Sequence, residues 1–443
     1  MKISKASHTA ALLVLLGSHA VAGTLTVTDL GDAGTGACGA TCTLRDAIAS
    51  AAPNDTIDFA STLTYPATIT LAGQELLVYK NLAIVGPGAG LLAIDGNQQS
   101  RILEIAANAS VTVSGVALNN GSVSGLNGSY IPTSGASGGG DGYGGSVLVN
   151  AGSTLQMIAC RLNGNQAFGG IGGSTPVPGA KQGDGGSAHG GAIYSAGTLS
   201  IKDSTLISNF AYGGHAGGPP LGSGGPQGSG GSGLGGAIEA SGLTEITDSQ
   251  FFNNSAQGSS GGSAFGGGAG GAGGSARGGA LAFSAFSVLS FVTSNGNSVI
   301  GVFGGSGNPR GADGAAVGAD VYATATVLSR STVLISTSGA TTCKVATLVA
   351  QGANLDADNS CQNFTLHGDP KLQVVTSGDA TFALPLWGSP LIDAAVDCKD
   401  AFGTTLTNDV RGGVRPLDGN ADRIAACDLG AVESDELFAN GFE

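Results

Sequence analysis

Four segments of this chain repeat one another, and that repetition constrains the fold more than any other feature. Residues 144–167 read GGSVLVNAGSTLQMIACRLNGNQA and residues 190–211 read GGAIYSAGTLSIKDSTLISNFA. Residues 235–256 read GGAIEASGLTEITDSQFFNNSA and residues 278–299 read GGALAFSAFSVLSFVTSNGNSV. Each opens on Gly-Gly, then a small residue, then an aliphatic one. Each closes near an asparagine: Asn165, Asn209, Asn254 and Asn297, at intervals of 44, 45 and 43 residues. A weaker fifth copy begins near Gly318.

Inside a copy the apolar residues alternate in short runs, as Leu199, Ile201 and then Leu206 do. Period-two alternation means strand. One copy is too short to bury its own apolar face, but stacked copies share a continuous core. The expected fold is therefore all-β: a parallel β-helix, with a short N-terminal capping helix, long Gly-rich loops and a disulfide-stapled C-terminal cap. Stacked strands lie about 4.8 Å apart, so equivalent residues form ladders. Asn165, Asn209, Asn254 and Asn297 are expected to form one, since Asn tolerates left-handed corners and its amide can bond the next in line.

Between the copies lie glycine-rich spacers. The chain has 80 glycines in 443 residues, and 53 of them fall within 135–315 together with only a dozen charges. No strict Gly-x-y run is present, which excludes collagen. Hydrophobic residues make up 41% and charged ones 11%, which excludes a charge-swollen disordered chain. The spacers read as loops projecting from one side of successive coils. Whether they form a packed layer or a flexible fringe is left open by composition alone.

The first 22 residues have the form of a secretory signal: Lys2 and Lys5, the apolar run AALLVLL at 10–16, and Ala20-Val21-Ala22 as cleavage site. Its removal takes the formal net charge from −14 to −16. No later stretch is long and apolar enough for a transmembrane span. So acidic a chain repels phosphate backbones, so no nucleic acid is expected as partner. Seven cysteines in an exported chain suggest disulfides. Pairing by proximity joins Cys38 to Cys42, Cys343 to Cys361 and Cys398 to Cys427. Cys160 is left over; it aligns with Ser204 and Ser249, which marks it as a small packing residue.

Near the amino end, Thr43-Leu44-Arg45-Asp46-Ala47-Ile48 reads as a short helix with Thr43 as N-cap and Asp46 three residues on. Strands are expected at 56–59, 68–71, 76–85 and 91–94. Cys42-Thr43-Leu44-Arg45-Asp46-Ala47-Ile48 resembles the CSLREA motif at the start of many exported bacterial β-helix proteins, with Thr43 for Ser and Asp46 for Glu. The GGAI at 190–193 and 235–238, and the FxxN at 251–254, resemble the repeats of chlamydial polymorphic outer-membrane proteins. Ser389-Pro390-Leu391-Ile392-Asp393, Asp409-Val410-Arg411-Gly412 and Cys427-Asp428-Leu429-Gly430-Ala431 resemble the end of the same exported family. The resemblance implies a right-handed parallel β-helix outside the cell or at the bacterial outer-membrane surface, without implying an activity. It organises the chain as signal peptide (1–22), N-terminal cap (23–52), β-helix (53–340), C-terminal coils and cap (341–434) and a tail (435–443). The tail resembles short carboxy-terminal tails of exported proteobacterial proteins.

Chemistry-bearing clusters are few. Asp203 and Asp248 occupy matching positions, with Lys202 beside them. Stacked one step apart, the two carboxylates would share a proton or bind a cation, but Asp-Ser is also ordinary turn chemistry. His189, His215 and His367 lack any nucleophile or metal spacing and read as solvated loop residues. Asp393, Asp397, Asp409, Arg411, Arg415, Asp418, Asp422 and Asp428 cluster in sequence and read as an ion-paired cap. No phosphate loop, calcium repeat or β-helix glycosidase signature occurs, so no cofactor or metal is expected. The expected function is an exported, non-catalytic adhesion, binding or structural element for an extracellular glycan or a neighbouring surface. The alternative is a polysaccharide lyase or glycoside hydrolase using Asp203, Asp248 and Lys202.

Overall fold

A computed structural model describes residues 22–132, 135–218, 225–264, 267–335, 339–377 and 380–434. The signal peptide expected over 1–22, Ala22 apart, and the tail at 435–443 lie outside the described residues. The chain folds as a right-handed parallel β-helix. Among the described residues one sheet has 16 strands, one has 10 and two have five each, all parallel; two antiparallel two-stranded pairs are peripheral.

The second copy shows one coil. Ile193–Ser195 and Thr198–Lys202 lie in the 16-stranded sheet, Thr205–Ile207 in the 10-stranded sheet, and Phe210–Tyr212 in a five-stranded sheet. Each pairs with its counterpart in the copies on either side, as Ile201 does with Met157 and Ile246. Met157, Ile201, Ile246 and Leu289 all point inward and are buried. At about 25 cal/mol per Å² of apolar surface, that continuous core is the main favourable term.

Three corners turn each coil, and each uses a left-handed residue. The first follows the longer strand of the 16-stranded sheet: Gly115, Ala159, Asp203, Asp248, Phe291 and Ser331 have φ between 43° and 61°. The second precedes the asparagines: Asn120, Gly164, Ser208, Asn253 and Gly296. The third is the first glycine of each Gly-Gly, as at Gly190 (φ 62°), where a Cβ would also stand 1.9 Å from the Ile193 carbonyl oxygen. Only glycine meets both demands.

The asparagines form a buried ladder. Asn165 Nδ2 donates to Asn209 Oδ1, Asn209 to Asn254 and Asn254 to Asn297, each at 2.9 Å. Asn297 Nδ2 donates in turn to Asp320 Oδ1 at 2.9 Å. A chain of donors must end on an acceptor, and Asp320, fully buried, is that end.

The spacers are a packed layer, which settles the question their composition left open. After each asparagine the described residues form an outward and a returning leg, which together build a thin fin along the solenoid. At its base the two legs meet through alanines: Ala167, Ala188 and Ala211 form a small cluster with Val123, and Ala256, Ala276 and Ala319 form another with Val299. Farther out even alanine is too large. Gly213 N donates to Gln257 O of the next coil at 2.9 Å, Gly214 N to Gly186 O of the preceding coil's return leg at 2.8 Å, and Gly231 N to Gly214 O of its own coil at 2.9 Å. Successive amides thus point to different neighbours, as a three-residue-per-turn extended helix requires. Glycines recur three apart in these legs (Gly170 and Gly173, Gly183 and Gly186, Gly228 and Gly231), so the collagen-like spacing exists locally without a long run. A Cβ on Gly231 would lie 1.8 Å from the Gly186 carbonyl oxygen.

At the amino end, Leu44–Ser50 is the capping helix; Thr43 accepts from Asp46 N, and Leu44, Ala47 and Ile48 are buried against the first coils. The single strand expected over 76–85 is two, Leu76–Val78 and Leu82–Val85, because the polar Lys80-Asn81 pair sits at a corner between them. At the carboxyl end, coils continue through Cys343–Gln351. Residues 388–434 then lie against the outer flank of the 10-stranded sheet. Leu391, Leu406, Cys427 and Leu429 there bury Phe291, Val333 and Leu355 of the helix. Cys38–Cys42, Cys343–Cys361 and Cys398–Cys427 are bonded.

Candidate functional site

Asp203 and Asp248 are brought together, one rung apart at corners of adjacent coils, since Lys202 pairs with Thr247. They do not make an open site. Asp248 is fully buried, and Arg415 from the C-terminal module covers it at 3.1 Å. Burial pushes the Asp248 carboxyl up to about 7 despite that cation. The same guanidinium contacts Glu433 at 3.1 Å, donates to Gly430 O at 2.7 Å and lies 4.6 Å from the Phe291 ring centroid. Asp203, also raised by burial, lines a cleft of about 470 Å³ with Cys160, Thr205 and Phe382. Substrate has no approach to the pair as a unit.

The C-terminal charges are likewise spent on structure. Asp409 accepts from Arg411 Nε at 2.9 Å and from Glu433 N at 3.0 Å. Asp428 accepts from Asp393 N at 2.8 Å and Ser434 N at 2.7 Å. Asp397 pairs with Arg330 at 2.6 Å. Asp418 accepts from Arg423 N and Asp422 from Ile424 N, closing local turns. Cys160 is buried, its thiol pushed up to about 11 by burial, and Cys160 N bonds Ser204 Oγ in the same rung pattern as Ser204 with Ser249.

Each histidine has a partner; His189 is largely buried and corrects the reading of a solvated residue, whereas His215 and His367 are exposed as expected. His189 Nδ1 lies 2.7 Å from Glu239 Oε2, and its ring stacks on Tyr143 at 4.6 Å with Tyr194 at its edge. Burial alone would lower its pKa, but the hydrogen bond to Glu239 outweighs this and raises it. His367 pairs with Asp356 at 2.5 Å. His215 Nδ1 meets Ser259 Oγ at 2.7 Å.

His215 also lines the strongest candidate, a cleft of about 790 Å³ on the side of the fin. Its wall comes from the five-stranded sheet containing Phe210–Tyr212. Alternation sends Ala167 and Ala211 inward and leaves Phe168, Phe210 and Tyr212 facing out. Phe210 and Tyr212 stack at 5.8 Å, Phe168 lies 6.5 Å from Tyr212, and His215 stands edge-on to Tyr212 at 5.8 Å. The rim is the outward leg, with Leu126, Asn127 and Ile171. No Lys, Arg, Asp or Glu among the described residues lines it.

At Ser124 this cleft meets a second concavity of about 550 Å³. It sits where the fin begins: Ser122–Ser124 is the first strand of its sheet, and earlier coils carry no fin. Its walls are polar, with Gln74, Glu75, Gln99, Ser100 and Arg101. Arg101 Nη1 bonds Glu75 Oε2 at 2.5 Å and lies 3.9 Å from Glu104, while Nη2 donates to Tyr143 O at 3.0 Å. Burial raises the Glu75 carboxyl; Arg101 opposes this, and Glu104 adds to it. Sequence reading passed over all these residues except His215. The available signal was the Phe-Ala-Tyr of 210–212, three positions of alternating aromatic and alanine in a chain that is only 5% aromatic.

No group of three or more His, Cys, Asp or Glu among the described residues has the arrangement of a metal site. No described helix is long and apolar enough to cross a membrane. No protein-family model and no curated protein sequence matches the chain. Among solved structures, the pectate lyase Pel9A is similar at 13% identity and a TM-score of 0.32, over 93% of this chain and 97% of that one. The family PL6 alginate lyase AlyGC is similar at 11% identity and a TM-score of 0.19, over 81% of this chain and 55% of that one.

Proposed function

We propose that this protein is an exported, non-catalytic β-helix that binds glycan outside the cell through the aromatic cleft on its fin. The observation that carries the reading is the set of outward aromatic rings, Phe168, Phe210 and Tyr212, held on adjacent coils beside His215 and Asn127. The apolar face of a sugar ring packs on such aromatic surfaces, while a few polar groups fix its orientation. Three disulfides fit an oxidising compartment. The burial of Asp248 beneath Arg415 supports a binding role over catalysis by the acid pair.

The test is retention of the full mature chain on an immobilised panel of neutral and acidic glycans. Wild type is expected to bind, and Tyr212→Ala to weaken binding about tenfold, since one aromatic anchor carries ~1–2 kcal/mol, with an unchanged far-ultraviolet spectrum. Binding to no member of the panel sinks the reading. New reducing ends or unsaturated products would replace it with the lyase or hydrolase alternative.

A further inference from the structure

The glycan reading leaves the polar notch at the start of the fin unexplained. We infer that this notch is a second subsite, continuous with the aromatic cleft at Ser124, that takes the hydroxyl groups of a neutral oligosaccharide spanning both. The inference rests on the glycan-binding reading and adds the substrate class and its extent.

Two observations carry it. First, the two concavities share Ser124, and each is the size of a small-ligand pocket. Second, their walls divide the labour of sugar recognition. Aromatic rings line one, and Gln74, Gln99, Ser100 and the Glu75–Arg101 pair line the other. Carboxylate, guanidinium and amide groups side by side offer the paired donors and acceptors that vicinal hydroxyls need.

The charges select against other ligands. Arg101 is engaged by Glu75 at 2.5 Å and by the carbonyls of Tyr143 and Gly144, and Glu104 lies 3.9 Å away. Two carboxylates facing one cation repel a uronate or sulfate. A cation would have to displace the guanidinium that already neutralises Glu75. No described Lys, Arg, Asp or Glu lines the aromatic cleft. A neutral chain is what remains.

The probes are cello-, manno- and xylo-oligosaccharides of two to six units, with oligogalacturonate as the acidic control, titrated calorimetrically into the full mature protein. At least one neutral series is expected to gain about tenfold or more in affinity as it lengthens, because the second subsite adds contacts without new association entropy. Gln99→Ala, which breaks no ion pair, and Glu75→Gln are expected to remove that gain while leaving the shortest ligand that binds unaffected. Tyr212→Ala is expected to weaken every length. If wild type binds neutral sugars but Gln99→Ala and Glu75→Gln bind every length as it does, the second subsite is overturned and the aromatic cleft stands. Tighter binding of oligogalacturonate than of any neutral chain overturns the neutral assignment. If no oligosaccharide binds wild type, both readings fall.

Discussion

Glycine serves two separate demands in this chain. At Gly190 it supplies a left-handed corner. At Gly231 its φ is unremarkable, and what matters is that a neighbouring carbonyl passes where a side chain would stand. Gly231→Ala is therefore expected to force the fin layers apart at a cost on the order of 3 kcal/mol. Gly218→Ala meets no described atom within 4 Å and is expected to stay within about 0.5 kcal/mol of wild type. Urea midpoints of the two variants check the contrast; equal midpoints would refute close packing of the fin. The ladder asparagines, expected at left-handed corners, each follow one by a residue instead. The Gly-Gly corners were legible because their chemistry is local. Ala159, Ser208 and Phe291 were not, because stacking imposes their left-handed angles against local preference. Phe291 endures there because its ring is buried under Arg415 and the flanking module.

At the scale of elements, the C-terminal module is pinned to the solenoid by one buried cation. Arg415 joins Asp248 of a coil corner to Glu433 of the module itself. Arg415→Met leaves both carboxylates buried and unpaired, with an expected loss of about 3–5 kcal/mol. Trp387, the only tryptophan, is half-exposed just before the module. Its emission should shift at lower urea in the variant than in wild type; an unchanged transition would show that the module holds by apolar contacts alone. The cysteine spacings already pointed to the staple between Cys398 and Cys427. That the module also lies along a flank was not legible, because no periodicity marks a segment that packs sideways on someone else's ladder.

At the scale of the molecule, several acids are buried with their protons favoured. Burial pushes Asp320 up to about 7 against hydrogen bonds from Asn297 and Ser294, and Glu433 up to about 8 against Arg415. Asp248 stands near 7 and Asp428 near 6, also through burial. Each of these folded values exceeds the unfolded one, roughly 4. Between the two the folded state holds more protons, so stability falls as pH rises. The stabilising contribution is complete below about pH 4 and gone above about pH 8. His189, also raised, acts in the same direction. The urea midpoint is expected to be lower at pH 8 than at pH 5, and Asp320→Asn should flatten part of the slope. The repeat foretold the solenoid and its asparagine line, since a fixed interval survives into the register. The aromatic cleft and the polar notch stayed hidden because Phe168 meets Tyr212, and Glu75 meets Arg101, only through stacking of coils distant in sequence.

The fin has one further consequence. Water's aversion to hydrocarbon slackens as temperature drops, and cores built on it weaken in the cold. Past its alanine base this sheet-like outgrowth contains almost no hydrocarbon to shelter; amide meets carbonyl from three sides instead. Chilling withdraws little from such a lattice, so it should outlast the solenoid beneath it as the thermometer falls.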